Sequence, residues 1–123
     1  MLTILVDEAY AFDYLAILLI KYDFSKNELI LTKAEECMAH IKSQIGKKKM
    51  EEILSSDEFK KLLDANKKTF EWVDKAKTDS CKASDVDKSN YERCKARNAL
   101  QEKFFTNKIS EVKFGYQAYD INK

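Results

Sequence analysis

Seven consecutive residues, Tyr14 to Ile20, carry no charge and lie between Asp13 and Lys21. A helix that is apolar on most sides must be covered on most sides, so the spacing predicts a helix from Asp7 to Tyr22 at the centre of a bundle or at a subunit interface. Asp7 and Glu8 at its start and Lys21 at its end suit the helix dipole. Ile30, Ala34, Cys37, Met38, Ile41 and Ile45 then recur at steps of three and four, which predicts a second helix. Ser25 and Glu28 have the spacing of a capping box at its start, and Gly46 is placed to stop it. Lys47 to Leu54 reads as a short third helix, with Met50, Ile53 and Leu54 inward and its lysines solvated. Ser55 and Glu58 repeat the capping-box spacing and open a fourth helix, whose buried stripe would hold Phe59, Leu62, Leu63, Phe70 and Val73. Trp72, beside that stripe, is assigned to core or interface. Residues 78–84 are polar and read as a loop, and Ser84 is placed to cap a fifth helix running to about Phe105.

The two ends are less determined. Residues 2–6 fit a short strand or the entry to the first helix. Val112, Phe114 and Tyr116 alternate like a strand, while Ile109, Val112, Tyr116 and Tyr119 fit a helix equally well, so periodicity does not choose for residues 108–119. Composition bears on the fold class. There is no proline and there are two glycines, where average usage would give about six and about eight or nine in a chain this long. Few breakers mean few tight turns. The expectation is all-α: one domain over residues 1–123, a compact bundle of four to five helices, with room for one short terminal strand pair.

The charges nearly cancel, with 22 basic and 21 acidic side chains and a net charge of +1, which argues against nucleic acid as a partner. The apolar run from Leu15 to Ile20 is far too short to cross a bilayer, so no membrane partner is expected. No basic stretch precedes it and two acids interrupt its approach, which argues against a signal peptide. The three cysteines are odd in number and sparse, as free thiols in a reducing compartment would be. Together these predict a cytoplasmic protein.

Chemistry concentrates on the fifth helix. Asn90, Arg93, Arg97 and Gln101 fall within an arc of about 80°, while Ala96, Ala99, Leu100 and Phe104 cover another part of the helix. Two arginines bracketed by amides suit a carboxylate or phosphate, because guanidinium donors bond such groups in pairs. The competing expectation is that the arginines pair with acids of neighbouring helices, such as Asp13 or Asp74. Cys37, His40, Cys81 and Cys94 could in principle gather around zinc, but there is no C-x-x-C pair and Cys37 lies on an apolar stripe. Buried or incidental thiols are the expectation, with no metal and no cofactor. Glu35-Glu36 and Glu71-x-x-Asp74 are similar to pieces of the magnesium sites of all-helical nucleotide pyrophosphatases, yet Ala39 stands where a third acid belongs. The glycines form no phosphate loop and one histidine leaves little scope for a Ser-His or Cys-His pair, so no catalytic residue is assigned.

The string D-Y-L-A-I-L-L-I-K from Asp13 to Lys21 resembles the opening of a small, uncharacterised bacterial and phage all-helical family, often encoded near surface-sugar (glycosyltransferase) genes. The similarity continues through Asn66, Phe70, Val73 and Asp74, then Asn90, Arg93, Arg97 and Gln101, and finally Glu111, Lys113 and Tyr116. The chain departs from the family at Val73, where an acid is usual, at Gln101, where Asn is usual, and by one extra residue before Tyr116. The resemblance implies no known activity, but it marks the same polar face.

Two functions follow as expectations. The first is a noncatalytic helical interaction protein forming homo-oligomers through its apolar first helix or its aromatic residues. The alternative is a binding protein or enzyme for a small anionic ligand such as a sugar phosphate, with Asn90, Arg93, Arg97, Gln101, Lys113 and Tyr116 as the ligand-binding set. The first is preferred, because no complete catalytic set can be assembled.

Overall fold

The computed structural model describes residues 2, 4–77 and 83–106, with the backbone alone at 74–77 and 83–84. Five helices make up nearly all of this: α1 (Glu8–Ser25), α2 (Glu28–Ile45), α3 (Lys47–Leu54), α4 (Asp57–Lys77) and α5 (Ala83–Phe104). Among the described residues there is no strand, and residues 2–6 have no regular structure where they are described. Residues 108–119 lie outside the described residues. The fold is an all-α bundle, as the scarcity of helix breakers implied.

α1 is the central element. It packs against α2 on one side and against the α4–α5 pair on the other. Its buried residues are Ala9, Phe12, Asp13, Leu15, Ala16, Leu18 and Ile20, which surround most of the helix. The uncharged run is therefore accounted for inside one chain. Ala34 and Ile41 from α2, Ile53 from α3, Phe59 and Leu62 from α4 and Leu100 from α5 complete the core. At one end Phe12 meets Phe59 edge-on at 6.2 Å and Phe105 at 6.5 Å, contacts worth more than their area alone.

The helix ends depart from the expected boundaries for identifiable reasons. α1 continues three residues past Tyr22 and stops at Lys26, which takes the left-handed conformation at φ 53°. Ser25 is thus the last residue of α1, its hydroxyl donating to the Lys21 carbonyl. The cap of α2 is Asn27, whose side-chain oxygen accepts from the Leu29 amide at 2.9 Å. Asn is as good a cap as Ser and stands one residue from the helix. The second expected box is shifted by one. Ser55 closes α3 by donating to the Glu51 and Glu52 carbonyls, and it is Ser56 whose Oγ accepts from the Phe59 amide at 3.2 Å. α5 begins at Ala83, so Ser84 lies within its first turn rather than before it, and residues 78–82 of the predicted loop lie outside the described residues. Gly46 both ends α2 and begins α3, at φ 88° and ψ 154°, a region essentially restricted to glycine.

The buried stripe of α4 also needs correcting. Phe59 and Leu62 are buried and Leu63 partly so, but Phe70 and Val73 are each more than a third exposed. The inward side of α4 at that level is taken instead by Asn66 and Thr69, which are buried. Trp72 is half-buried and lines a groove of about 640 Å³ between α4 and α5.

Leu62 is fully buried in the shared core. Leu62→Ala is expected to lower the unfolding free energy by about 2–5 kcal/mol, since the void cannot collapse fully. Urea denaturation followed by circular dichroism measures this.

Candidate functional site

The polar face of α5 meets α1 along an antiparallel seam, Gln101 lying against Ala9 and Arg97 against Asp13. The first-turn amides of an α-helix have no partner within the helix. For Ala9 that partner is the Gln101 side-chain oxygen at 2.8 Å, and the Gln101 amide nitrogen in turn donates to Glu8 at 3.1 Å. Gln101 is buried, so it serves as a cap for α1 supplied from α5.

One turn further along lies the charged centre. Asp13 is only 5% exposed, and a carboxylate this deep is stable only if charge and hydrogen bonds replace its water. Its Oδ1 accepts from Asn66 Nδ2 of α4 at 2.8 Å, and its Oδ2 accepts from Arg97 Nη1 at 3.2 Å. Asn66 is held by a second bond to the Leu62 carbonyl. The Arg97 guanidinium, buried itself, stacks 4.1 Å from the centroid of the Tyr10 ring and donates to Cys94 Sγ at 3.5 Å. Its plane is thus covered by an aromatic face while one edge faces the acid, a geometry lysine could not reproduce.

Arg93 is placed differently. It lies a turn before Arg97, its side chain is 25% exposed, and its Nε is 3.9 Å from Asp13 Oδ2. That separation is an ion pair without a hydrogen bond. Asn90 is half-buried a further turn up. Among the six predicted ligand-binding residues, the structure therefore brings Arg93, Arg97 and Gln101 to the α1 seam and builds two of them, Arg97 and Gln101, into the interior. Lys113 and Tyr116 lie outside the described residues. Tyr10 went unnoticed in the sequence, although it sits three positions before Asp13 and so on the same helix face. Asp13, Asn66, Arg93 and Arg97 all belong to this centre.

The cysteine and histidine set has an independent geometry. Cys37 Sγ is 3.9 Å from the Ala11 carbonyl oxygen, to which it can donate, and His40 is exposed. Burial pushes the Cys37 thiol above its ordinary range. Cys81 lies outside the described residues. Among the described residues no group of three metal-ligating side chains converges, and no helix is long and apolar enough to cross a membrane.

A second surface feature was not foreseen. Phe24 of α1 and Phe70 of α4 stack with their centroids 4.9 Å apart and their planes at 24°. Both rings are substantially exposed, as are Val73 and, at the start of α2, Leu29. No known protein family, curated protein or solved structure matches the chain.

Two expectations follow. Asp13→Asn leaves two guanidinium groups facing a neutral amide, and breaking a buried pair in this way costs about 3–5 kcal/mol. A double-mutant cycle of Asp13→Asn with Arg97→Met should show a coupling above about 1 kcal/mol, because the two share one network. Additive losses in urea unfolding would contradict the seam. Cys37 should react slowly with a disulfide reagent at neutral pH, since the thiolate is the nucleophile and a raised pKa keeps it protonated. Mass spectrometry of the labelled peptide should show its reactivity recovering in urea.

Proposed function

We propose that this chain is a noncatalytic helical interaction protein that pairs with a second copy of itself through the exposed strip formed by Phe24, Phe70 and Val73. The observation that supports this is the Phe24–Phe70 stack, two aromatic rings packed on each other in the open. Aromatic residues are the side chains most enriched at protein interfaces. Val73 lies one turn beyond Phe70 and extends the strip along α4.

A two-fold pair sets the same patch against itself, so the rim must be able to oppose cation to anion. Lys21 lies one turn before Phe24 and Lys67 one turn before Phe70, while Glu71 adjoins Phe70, and all three side chains are exposed. The strip thus has both signs at its edge. Of the two contacts expected, the apolar first helix or the aromatic residues, the core of α1 is covered within its own chain, and the contact falls to the aromatic residues at the end of that helix. The free thiols of Cys37 and Cys94 suit a cytoplasmic setting. The noncatalytic reading draws support from the polar face of α5, where Arg97 and Gln101 are engaged in holding α1.

Light scattering at micromolar concentration should give twice the chain mass of 14.3 kDa. Phe24→Ser combined with Phe70→Ser should return the mass to that of one chain while the helical circular dichroism signal persists. A wild-type protein that scatters as a single chain overturns the reading.

A further inference from the structure

We propose that the groove between α4 and α5 binds a small aromatic anion, a planar ring carrying a carboxylate or phosphate, with Trp72 facing the ring and Lys68 and Lys88 holding the acid group. The groove lies on the far side of α4 from the aromatic strip, since Trp72 follows Phe70 by two positions, about 200° around the helix. The site is therefore independent of self-association.

The groove is open because its floor is built from small residues. Ala65 of α4 with Ser89 and Ala96 of α5 line it, and a space of about 640 Å³ is left between the two helices. That is the size of a small-molecule site, whose usual lining is apolar with a few polar groups at the edge. The floor is also fixed. The Thr69 hydroxyl donates to the Ala65 carbonyl at 2.9 Å, so in the 2.8 Å contact between Thr69 and Ser89 the Ser89 hydroxyl is the donor. This chain of hydrogen bonds sets residue 69 level with residue 89. Lys68 and Trp72 on α4 are thereby held at the level of Lys88 on α5, and all three line the groove.

These walls define the occupant. Trp72 is half-buried, and an indole face is a surface on which planar rings stack with an offset. Lys68 and Lys88 are exposed, and among the described residues neither has an ion-pair partner. Asp64 and Glu92 also line the groove, each four positions from one of these lysines, and Lys61, Asp85 and Lys95 complete the charged rim. Asp85 and Lys95 have contacts of their own, Lys95 over the Tyr91 ring. Two features favour an anion over a cation. Lysines outnumber acids around the rim by four to three. A lysine ammonium also rides on a flexible four-carbon stem that can bend over the groove, whereas the Asp64 carboxylate is held close to its helix. Pairing between exposed charges is weak, so Asp64 and Glu92 do not keep the two lysines from a bound carboxylate or phosphate.

Trp72 is the only tryptophan in the chain, so its indole N–H gives a single NMR signal that reports the groove. The full chain is titrated with benzoate, with phenyl phosphate and with neutral benzyl alcohol, at constant ionic strength. A saturable shift of the Trp72 signal is expected with at least one anion, at an affinity about fivefold above that of the alcohol, and the tighter anion identifies the group recognised. Lys68→Gln combined with Lys88→Gln should abolish that preference and leave the affinity for benzyl alcohol as it was. Both lysines are exposed, so the melting temperature should stay near the wild-type value. Phe24→Ser with Phe70→Ser should leave the titration unchanged. The proposal is overturned if neither anion gives a saturable shift, if anion and alcohol bind equally, or if the preference survives loss of both lysines. Loss of binding in the Phe24 and Phe70 variant would place the ligand on the aromatic strip and overturn it as well.

Discussion

A carboxylate at the centre of the bundle sets the terms on which the rest of the molecule is arranged. Asp13 sits on a helix whose other buried residues are mostly apolar, between Phe12 and the run that includes Leu15 and Ile20. It is only 5% exposed, so its charge must be met largely by the protein. The response comes from two other helices at once, Asn66 on α4 and Arg97 on α5. Three helices are thereby locked at one level. Because hydrogen bonds are directional and apolar contacts are not, this centre fixes the rotation of α1 in a way that the surrounding aliphatic packing would leave loose. A buried pair of this kind adds little net stability compared with apolar side chains of the same shape. Its contribution here is to register.

How far the sequence revealed this depended on the kind of interaction. Elements whose evidence lay in periodicity were legible. The stripe from Ile30 to Ile45, the inward Ile53 and the stop at Gly46 all follow from spacing and backbone freedom. Capping was legible only to within a residue, because Ser25, Asn27, Ser55 and Ser56 are all capable caps and local preference hardly separates them. The outward turn of Phe70 and Val73 was not legible. A stripe of apolar residues at helical spacing predicts burial, but polar Asn66 and Thr69 hold the inward positions at that level because Asp13 and Ser89 require partners there. A demand created by another helix overrode the local pattern.

The polar face of α5 carried two expectations, and its residues differ in depth. Spacing alone put Asn90, Arg93, Arg97 and Gln101 on one side but could not say how deep each would lie. Depth follows from where α1 crosses. Arg97 and Gln101 fall under the first turns of α1 and become interior, while Arg93 and Asn90 fall beyond them and keep contact with solvent. The same row of side chains is structural at one end and accessible at the other, and Tyr10, by covering Arg97, marks the boundary.

The seam joins parts of the chain that are far apart in sequence: Arg97 and Asp13 are separated by 84 positions, Gln101 and Ala9 by 92. On the ribosome α1 emerges before the other described helices, with its apolar faces bare and its acid unmatched. Neither its counter-ion nor its cap exists until α5 has been translated. A nascent chain stopped after α4 would hold a greasy helix with a charge it cannot neutralise, a state prone to chaperone capture rather than stepwise folding. For this bundle, completion of the native core is an event that waits for the last of the described helices.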